Sequence, residues 1–197
     1  MIVRSCLALY LLVAVVSAYA SIVDFENLPN THPNYTLHGD TAVSGGFEFK
    51  ANLRLGSPDA IASWGDPGFG LYTGSVAIFA NYDTDFLTMN QVGGGVFDVL
   101  SMDIADVGLF DVGIPVMMIG TRADLSIVTE TIITSSPTLT SYGLSNMTNL
   151  ISMDIHDNSR VVQVDNIVTA VPEPASVAVI VLGSAACLRR RRANRAS

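Results

Sequence analysis

Acidic side chains are the residues of this chain whose types and spacing could bind a metal ion. Asp83 and Asp85 fall within one short segment, and Asp154 and Asp157 fall within another. Such segments supply the several oxygen ligands that the hard cation Ca²⁺ requires, and Asp165 near the end of the body is a further candidate. Neither segment has the glycine and terminal glutamate of an EF-hand loop. The sequence therefore predicts a calcium site at these five aspartates, with turn-forming aspartates on an acidic surface as the alternative interpretation.

Aromatic residues in a Gly- and Asp-rich segment suggest a second kind of chemistry. Trp64 is the only tryptophan, and Tyr72 follows it eight residues later. Ring faces stack on the apolar faces of sugars while polar neighbours bond to the hydroxyls. We therefore predict a ligand-binding platform at Trp64 and Tyr72, with ordinary packing of Trp64 as the alternative.

Catalytic chemistry has weaker support. The three histidines are His32, His38 and His156, and no G-x-S-x-G motif accompanies them. Hydrolysis would need a Ser and an Asp to converge on one of them by folding, or a positioned pair of carboxylates. The sequence favours a protein that is not an enzyme, with a secreted carbohydrate-active hydrolase as the alternative.

Charge and cysteine content limit the possible partners of the body, residues 21–170. This segment holds 17 acidic residues against four basic ones, a net charge of −13. Such a surface repels phosphate backbones, which excludes nucleic acid as a partner and favours cations. Cys6 and Cys187 lie outside the body, so it can form no disulfide and must be held together by a buried core.

The elements that must position these residues are short β-strands. Runs rich in Val, Ile, Thr and Phe recur between Gly, Pro, Asn and Asp clusters, and in Gly46–Leu55 apolar and polar residues alternate. In Leu125–Thr134 the alternation is less clean, which predicts a strand covered on both faces. Gly93–Gly95 is a candidate hairpin tip. Eight or nine such strands predict an all-β fold, an antiparallel jelly-roll-like β-sandwich.

The N-terminal 20 residues have the organisation of a secretory signal peptide. Arg4 supplies a positive charge, Cys6–Val16 is an apolar core, and Ala18-Tyr19-Ala20 is an A-x-A cleavage site. We expect signal peptidase to remove residues 1–20.

The C-terminal residues 171–197 have the organisation of a membrane anchor. Two prolines in Pro172-Glu173-Pro174 prevent a helix from starting earlier, so a transmembrane helix is predicted at about 175–188. A basic terminus follows at 189–195, beginning with Arg189, Arg190, Arg191 and Arg192. Positive residues stay on the cytoplasmic side, so the body is expected outside the inner membrane.

This tail resembles the bacterial PEP-CTERM protein-sorting signal, because the Pro-Glu-Pro motif, a short hydrophobic helix and a basic terminus follow in that order. Similar tails are also labelled as the C-terminal domain of ice-binding proteins. The resemblance implies that an exosortase cuts near the motif, and that the protein then reaches the cell surface or extracellular matrix in connection with exopolysaccharide. Val164-Asp165-Asn166-Ile167 also resembles the last strand of several carbohydrate-binding jelly rolls, some of which carry a structural calcium.

These observations together predict an exported bacterial surface or matrix protein that is an exosortase substrate. Its single ectodomain, residues 21–170, is expected to be a non-catalytic binding or structural module, with polysaccharide as a possible partner. A self-assembling structural surface protein is the alternative that does not involve an enzyme.

Overall fold

The described part of the chain consists of β-strands and the segments that connect them. The computed structural model describes residues 18–29, 35–52, 60–65, 74–81, 86–106, 113–134, 138–157 and 162–172. Ala20–Val171, which includes the whole body, is one compact unit, and nearly all of a second unit, residues 1–19 and 172–197, lies outside these ranges. Within the described ranges there is no helix with the length and hydrophobicity needed to cross a bilayer.

The described residues form thirteen strands. In chain order these are β1 Ala18–Val23, β2 Thr36–Leu37, β3 Thr41–Ser44, β4 Phe47–Asn52, β5 Ile61–Trp64, β6 Ala77–Ala80, β7 Phe86–Gln91, β8 Asp98–Asp106, β9 Pro115–Arg122, β10 Ile127–Ile133, β11 Thr140–Gly143, β12 Leu150–Asp157 and β13 Val162–Pro172.

Two sheets divide these strands between them. Sheet 1 has the order β11-β8-β13-β6-β5-β2, with β1 also paired to β13, and sheet 2 has the order β10-β9-β12-β7-β4-β3. Every pairing whose register is described is antiparallel. The predicted all-β antiparallel sandwich is therefore confirmed, while its assignment as a jelly roll stays a prediction.

An apolar core of described residues lies between the sheets. Phe25 packs edge-on against Phe49 with ring centroids 5.0 Å apart, and Phe47 packs against Phe97 at 5.1 Å. Methionines contribute to this core, where their flexible thioethers suit an irregular space. The fully buried ones are Met89, Met102, Met118, Met147 and Met153.

Alternation along β4 produces its two faces as predicted. Phe47, Phe49 and Ala51 are buried, whereas Glu48 and Lys50 point away from the core. A two-residue turn joins β4 to β3, because Ser44 pairs with Phe47. Both turn glycines have positive φ, +55° and +82°, which glycine adopts without the steric cost that a side chain would bring.

The prediction of a hairpin tip at Gly93–Gly95 is wrong. The preceding strand β7 belongs to sheet 2 and the following strand β8 belongs to sheet 1, so the glycines carry the chain from one sheet to the other. All three have positive φ. Glycines indicate a change in backbone direction, but they do not specify which strands pair on either side of it.

The prediction that the 125–134 segment is covered on both faces is also wrong. Strand β10 lies at the edge of sheet 2, where Ile127 is 62% and Ile133 is 55% exposed. Val128 and Ile132 pack against the core from the other face. β-branched residues occupy both faces of this strand, so its composition conceals which face is open to solvent.

Candidate functional site

Of the five predicted calcium ligands, Asp154 and Asp165 have described side chains, and these two do not share a site. Asp83, Asp85 and the side chain of Asp157 lie outside the described residues. Asp154 lies on β12 of sheet 2 and Asp165 lies on β13 of sheet 1. Both side chains are on the outer faces of their sheets, since their neighbours Met153, Ile155 and Val164 belong to the core. Because the whole sandwich separates these two aspartates, they cannot hold a common ion.

Asp165 belongs to an acid cluster on the outer face of sheet 1, which we define as Glu26, Ser75, Asp103, Asp165 and Asn166. Asp165 pairs with Asp103 across β13 and β8. Ser75 Oγ donates a hydrogen bond to Asp165 Oδ2, and Asn166 Nδ2 donates to Asp165 Oδ2 at 3.3 Å and to Asp103 Oδ2 at 3.0 Å. Three separate chain segments, at residues 75, 103 and 165–166, are therefore linked by these contacts.

Backbone geometry holds two members of this acid cluster in place. Glu26 Oε1 accepts a hydrogen bond of 2.9 Å from the backbone N–H of Val76. Asn166 has φ of +45°, a left-handed conformation that asparagine tolerates better than most residues, and the β13–β8 register shifts after Asp165. The irregularity turns the Asn166 amide toward both aspartates.

Burial dominates the electrostatics of the acid cluster. Asp165 is 1% exposed, and this burial raises the pKa of its carboxyl group to about 6, an effect to which the charges of Glu26 and Asp103 add. Hydrogen bonds from Ser75 and the Asn166 backbone oppose the shift. Asp165 Oδ1 is buried without a hydrogen-bond partner in the described part of the chain, and the same holds for Gln163 Oε1 two residues earlier on the same face.

A cation near Asp165 would offset the mutual repulsion of these carboxylates. Among the described residues, however, no three His, Cys, Asp or Glu side chains are grouped so as to hold a metal by themselves. Ca²⁺ at this position would therefore need amide, backbone or water oxygens in addition to the carboxylates. The acid cluster fits a cation electrostatically, and calcium binding there stays a prediction.

Trp64 ends strand β5 and lies on the outer face of sheet 1. Its ring stacks on Phe79 with centroids 5.3 Å apart, and the Tyr35 ring meets it edge-on at 5.5 Å. Trp64 is only 7% exposed, which fits the packing interpretation, because little of its ring is free for a sugar. Tyr72 lies outside the described residues.

The outer face of sheet 2 brings together a group that the sequence analysis did not predict. We define the sheet-2 patch as Asn52, Phe86, Thr88, Asp154 and His156. The Phe86 and His156 rings stack with centroids 4.2 Å apart. Beside them Asn52 Nδ2 donates a hydrogen bond to Thr88 Oγ1, and Thr88 Oγ1 donates to Asp154 Oδ1 at 2.6 Å.

Three adjacent strands position the sheet-2 patch. Asn52 pairs with Phe86 across β4 and β7, and Phe86 pairs with His156 across β7 and β12. In the neighbouring row Thr88 pairs with Asp154. All five side chains are half-buried, so they remain accessible. Alternation around the buried Leu87 and Ile155 was the sequence signal that could have identified this shared face.

One Ser–His contact bears on the hydrolase alternative. His38 Nε2 and Ser63 Oγ are 2.7 Å apart, and burial lowers the pKa of His38. Ser63 is fully buried, so a polysaccharide cannot reach its hydroxyl in this arrangement. The pair therefore gives the hydrolase alternative no support.

The sorting and cleavage residues lie at or beyond the limits of the described chain. Pro172 ends β13 and Ala18 begins β1, with Ala20 on the same strand. The remaining predicted sorting and anchor residues, Glu173, Pro174, Arg189, Arg190, Arg191 and Arg192, lie outside the described residues.

Several solved carbohydrate-binding modules resemble this chain at low identity. A mutant of CBM29-2 complexed with cellulohexaose is 13% identical with a TM-score of 0.41, covering 69% of this chain and 89% of that one. The CBM22-1–GH10 modules of Clostridium thermocellum xylanase 10B with xylohexaose are 15% identical with a TM-score of 0.43, covering 80% of this chain and 29% of that one. TmCBM61 with β-1,4-galactotriose is 10% identical with a TM-score of 0.34, covering 64% of this chain and 84% of that one.

No family model and no curated protein matches the sequence. At such TM-scores these likenesses assign neither a ligand nor a binding residue to this chain.

Proposed function

We propose that this protein is an exported, non-catalytic module that binds polysaccharide through the sheet-2 patch. The observation that carries the proposal is the accessible stacked pair of Phe86 and His156 beside the hydrogen-bonded line Asn52–Thr88–Asp154. The proposal depends on these side chains and not on the low-scoring structural likenesses.

The chemistry of the sheet-2 patch suits a polyhydroxylated ligand. A sugar has apolar C–H groups that pack on aromatic rings and hydroxyls that both donate and accept hydrogen bonds. Asp154 supplies acceptors, Asn52 supplies both donors and acceptors, and the His156 imidazole supplies one of each when neutral. Because all five residues stand on strands, little conformational entropy is lost when a glycan binds.

Affinity electrophoresis of the full-length protein in detergent micelles, through gels containing different polysaccharides, tests this function. We expect at least one polysaccharide to retard the wild type, and Phe86→Ala to weaken that binding about tenfold, the value of one aromatic contact. Asn90→Ala is the matched control, because Asn90 lies on the same strand and face but outside the patch. Equal retardation of both variants would rule out the patch, and no retardation by any polysaccharide would overturn the function.

For the chain ends we propose removal of residues 1–20 by signal peptidase and cutting by an exosortase near Pro172-Glu173-Pro174. The body would remain outside the inner membrane until this cut and would then reach the cell surface or matrix. The support is the order of motif, apolar segment and arginines in the sequence. Intact mass spectrometry of the protein from its native host is the test: a C-terminus near residue 174 is expected, whereas a chain ending at Ser197 would leave a plain membrane anchor.

A further inference from the structure

Strand β10 is the longest of the described strands that end a sheet order. The described strands at the ends of the two sheet orders are β10, β3, β11 and β2, with seven, four, four and two residues. Natural proteins keep edge strands short, or interrupt them with lysine, proline or a bulge, because a free edge can pair with another strand. β10 is long, contains neither lysine nor proline, and keeps continuous register with β9.

The backbone of β10 offers hydrogen-bonding groups at the edge where no described strand pairs with it. Arg122 N–H donates to Ser126 O, and Thr134 N–H donates to Ile114 O, at 2.9 Å each. Hydrogen bonding alternates along an antiparallel pair, so the even-numbered residues between Ser126 and Thr134 also form hydrogen bonds with β9. Four odd-numbered residues therefore direct their N–H and C=O groups away from the sheet, and these are Ile127, Thr129, Thr131 and Ile133.

The sequence of β10 is nearly symmetric about its centre. Reading outward from Glu130, the residue pairs are Thr129 with Thr131, Val128 with Ile132, and Ile127 with Ile133. An antiparallel partner related by a two-fold axis at Glu130 would place each residue opposite its symmetric counterpart. In this register Ile127 of one copy forms a hydrogen-bonded pair with Ile133 of the other, and Thr129 pairs with Thr131 in the same way. The outward-directed N–H and C=O groups of all four residues are then hydrogen-bonded.

We infer that β10 is a self-association edge, through which two copies of this chain join sheet 2 into one continuous antiparallel sheet. Ile127 of each copy then packs against Ile133 of the other on the outer face, which removes two large exposed apolar side chains from water. A second copy is the fitting partner, because only the same sequence reproduces the symmetric pairing at every position.

Glu130 is the residue that opposes this association, because its two copies meet at the axis. The Glu130 carboxylate contacts the segment that follows β11. Its two oxygens accept hydrogen bonds from the backbone N–H groups of Ser145 at 3.4 Å and Asn146 at 3.2 Å. These donors reduce the repulsion without removing it. Glu130→Gln is therefore expected to tighten the dimer several-fold.

Charge-swap variants at the two isoleucines test the register directly. Ile127→Lys with Ile133→Glu places a lysine opposite a glutamate across the interface, twice. Ile127→Lys with Ile133→Lys, and Ile127→Glu with Ile133→Glu, place like charges opposite each other. Within one chain the two positions are six residues, roughly 20 Å, apart along the strand, so none of these effects arises inside a monomer.

The measurement is sedimentation equilibrium of the full-length protein in density-matched detergent. Wild type and the Lys/Glu variant should both dimerise, while the two like-charge variants should have dissociation constants at least about tenfold higher. The two like-charge variants check each other, since a folding defect peculiar to added lysines would not recur with glutamates. A monomeric wild type would overturn the inference. Equal association of the Lys/Glu and Lys/Lys variants would also overturn it, because association driven by the C-terminal tail alone would give that result.

Discussion

The two outer faces of this sandwich are both built from antiparallel strands, yet their environments differ. On sheet 1 the outward residues of β5 and β6 are buried, including Phe79, and so are Gln163 and Asp165 on the neighbouring β13. On sheet 2 the outward residues of β4, β7 and β12 are half-buried or exposed, including Phe86 and Asp154. Around β5 and β6 the first face is as buried as a core although it lies outside the core, whereas the second face is accessible to a ligand.

This difference separates stability from recognition. A buried face contributes free energy of folding through each apolar side chain, whereas an accessible face contributes little to folding and is free to contact a ligand. Phe79 and Asp165 on the first face can be compared with Phe86 and Asp154 on the second. Matched substitutions at these two pairs can therefore break or sharpen the comparison.

The largest expected difference is between Phe79→Ala and Phe86→Ala. Phe79 is 3% exposed and stacks on Trp64, so its loss leaves a cavity and should cost about 3–4 kcal/mol in the free energy of unfolding. Phe86 is half-buried against His156, and its loss should cost about 1 kcal/mol. Urea unfolding of both variants gives the two values, and equal costs would mean that the two faces do not differ in this way.

The second expected effect is a gain in stability from Asp165→Asn at neutral pH. The pKa of Asp165 is raised to about 6 in the folded protein, so the folded state holds this proton more tightly than the unfolded chain does. The stabilisation is complete below about pH 4 and is lost as the pH rises through 6. Above pH 6 the buried charge costs about 2 kcal/mol after allowance for solvent screening, which asparagine removes.

Unfolding curves of wild type and Asp165→Asn between pH 4 and pH 8, without divalent cations, measure this effect. The variant should be relatively more stable at the upper end of that range, with the difference shrinking toward pH 4. A difference that did not vary with pH would mean that Asp165 titrates normally, and that the outer face of sheet 1 does not bury it as described.

Calcium should produce a smaller, opposite response at the same residue. If Ca²⁺ binds the acid cluster, a tenfold excess over its dissociation constant raises the free energy of unfolding by about 1.4 kcal/mol. Asp165→Asn should abolish the response, whereas Asp154→Asn on the other sheet should retain it. Thermal unfolding with added Ca²⁺ or chelator makes the comparison, and an unchanged wild-type midpoint would exclude a structural calcium.

How far the sequence could predict this molecule is shown by strands β4 and β10. Alternation in β4 correctly separated Phe47 and Phe49 from Glu48 and Lys50, because a polar face and an apolar face are distinguishable by composition. In β10 both faces are β-branched, so its exposed isoleucines could not be distinguished from buried ones. Position in the sheet order, which depends on contacts distant in sequence, determined the outcome.

The candidate sites follow the same physical rule. The Val164–Ile167 motif points to Asp165, but Ser75, which donates a hydrogen bond to it, and Glu26, whose charge raises its pKa, are 90 and 139 residues away along the chain. The sheet-2 patch went unpredicted because Asn52, Phe86 and His156 come from three separate segments, each unremarkable alone. Alternation predicts which residues of one strand share a face, whereas the register between strands decides which residues become neighbours.

The smallest expected stability change, with the most specific functional effect, is that of Asp154→Asn. Its carboxylate is half-buried and accepts one hydrogen bond from Thr88, which an asparagine oxygen can also accept, so the free energy of unfolding should change by less than about 1 kcal/mol. If the sheet-2 patch binds polysaccharide, loss of an acceptor for sugar hydroxyls should nevertheless weaken binding several-fold. Urea unfolding and affinity electrophoresis of the same preparation measure both quantities, with Asp165→Asn as the reciprocal control that alters stability but not binding. An Asp154→Asn protein that loses stability and keeps its affinity would reverse the roles assigned to the two faces.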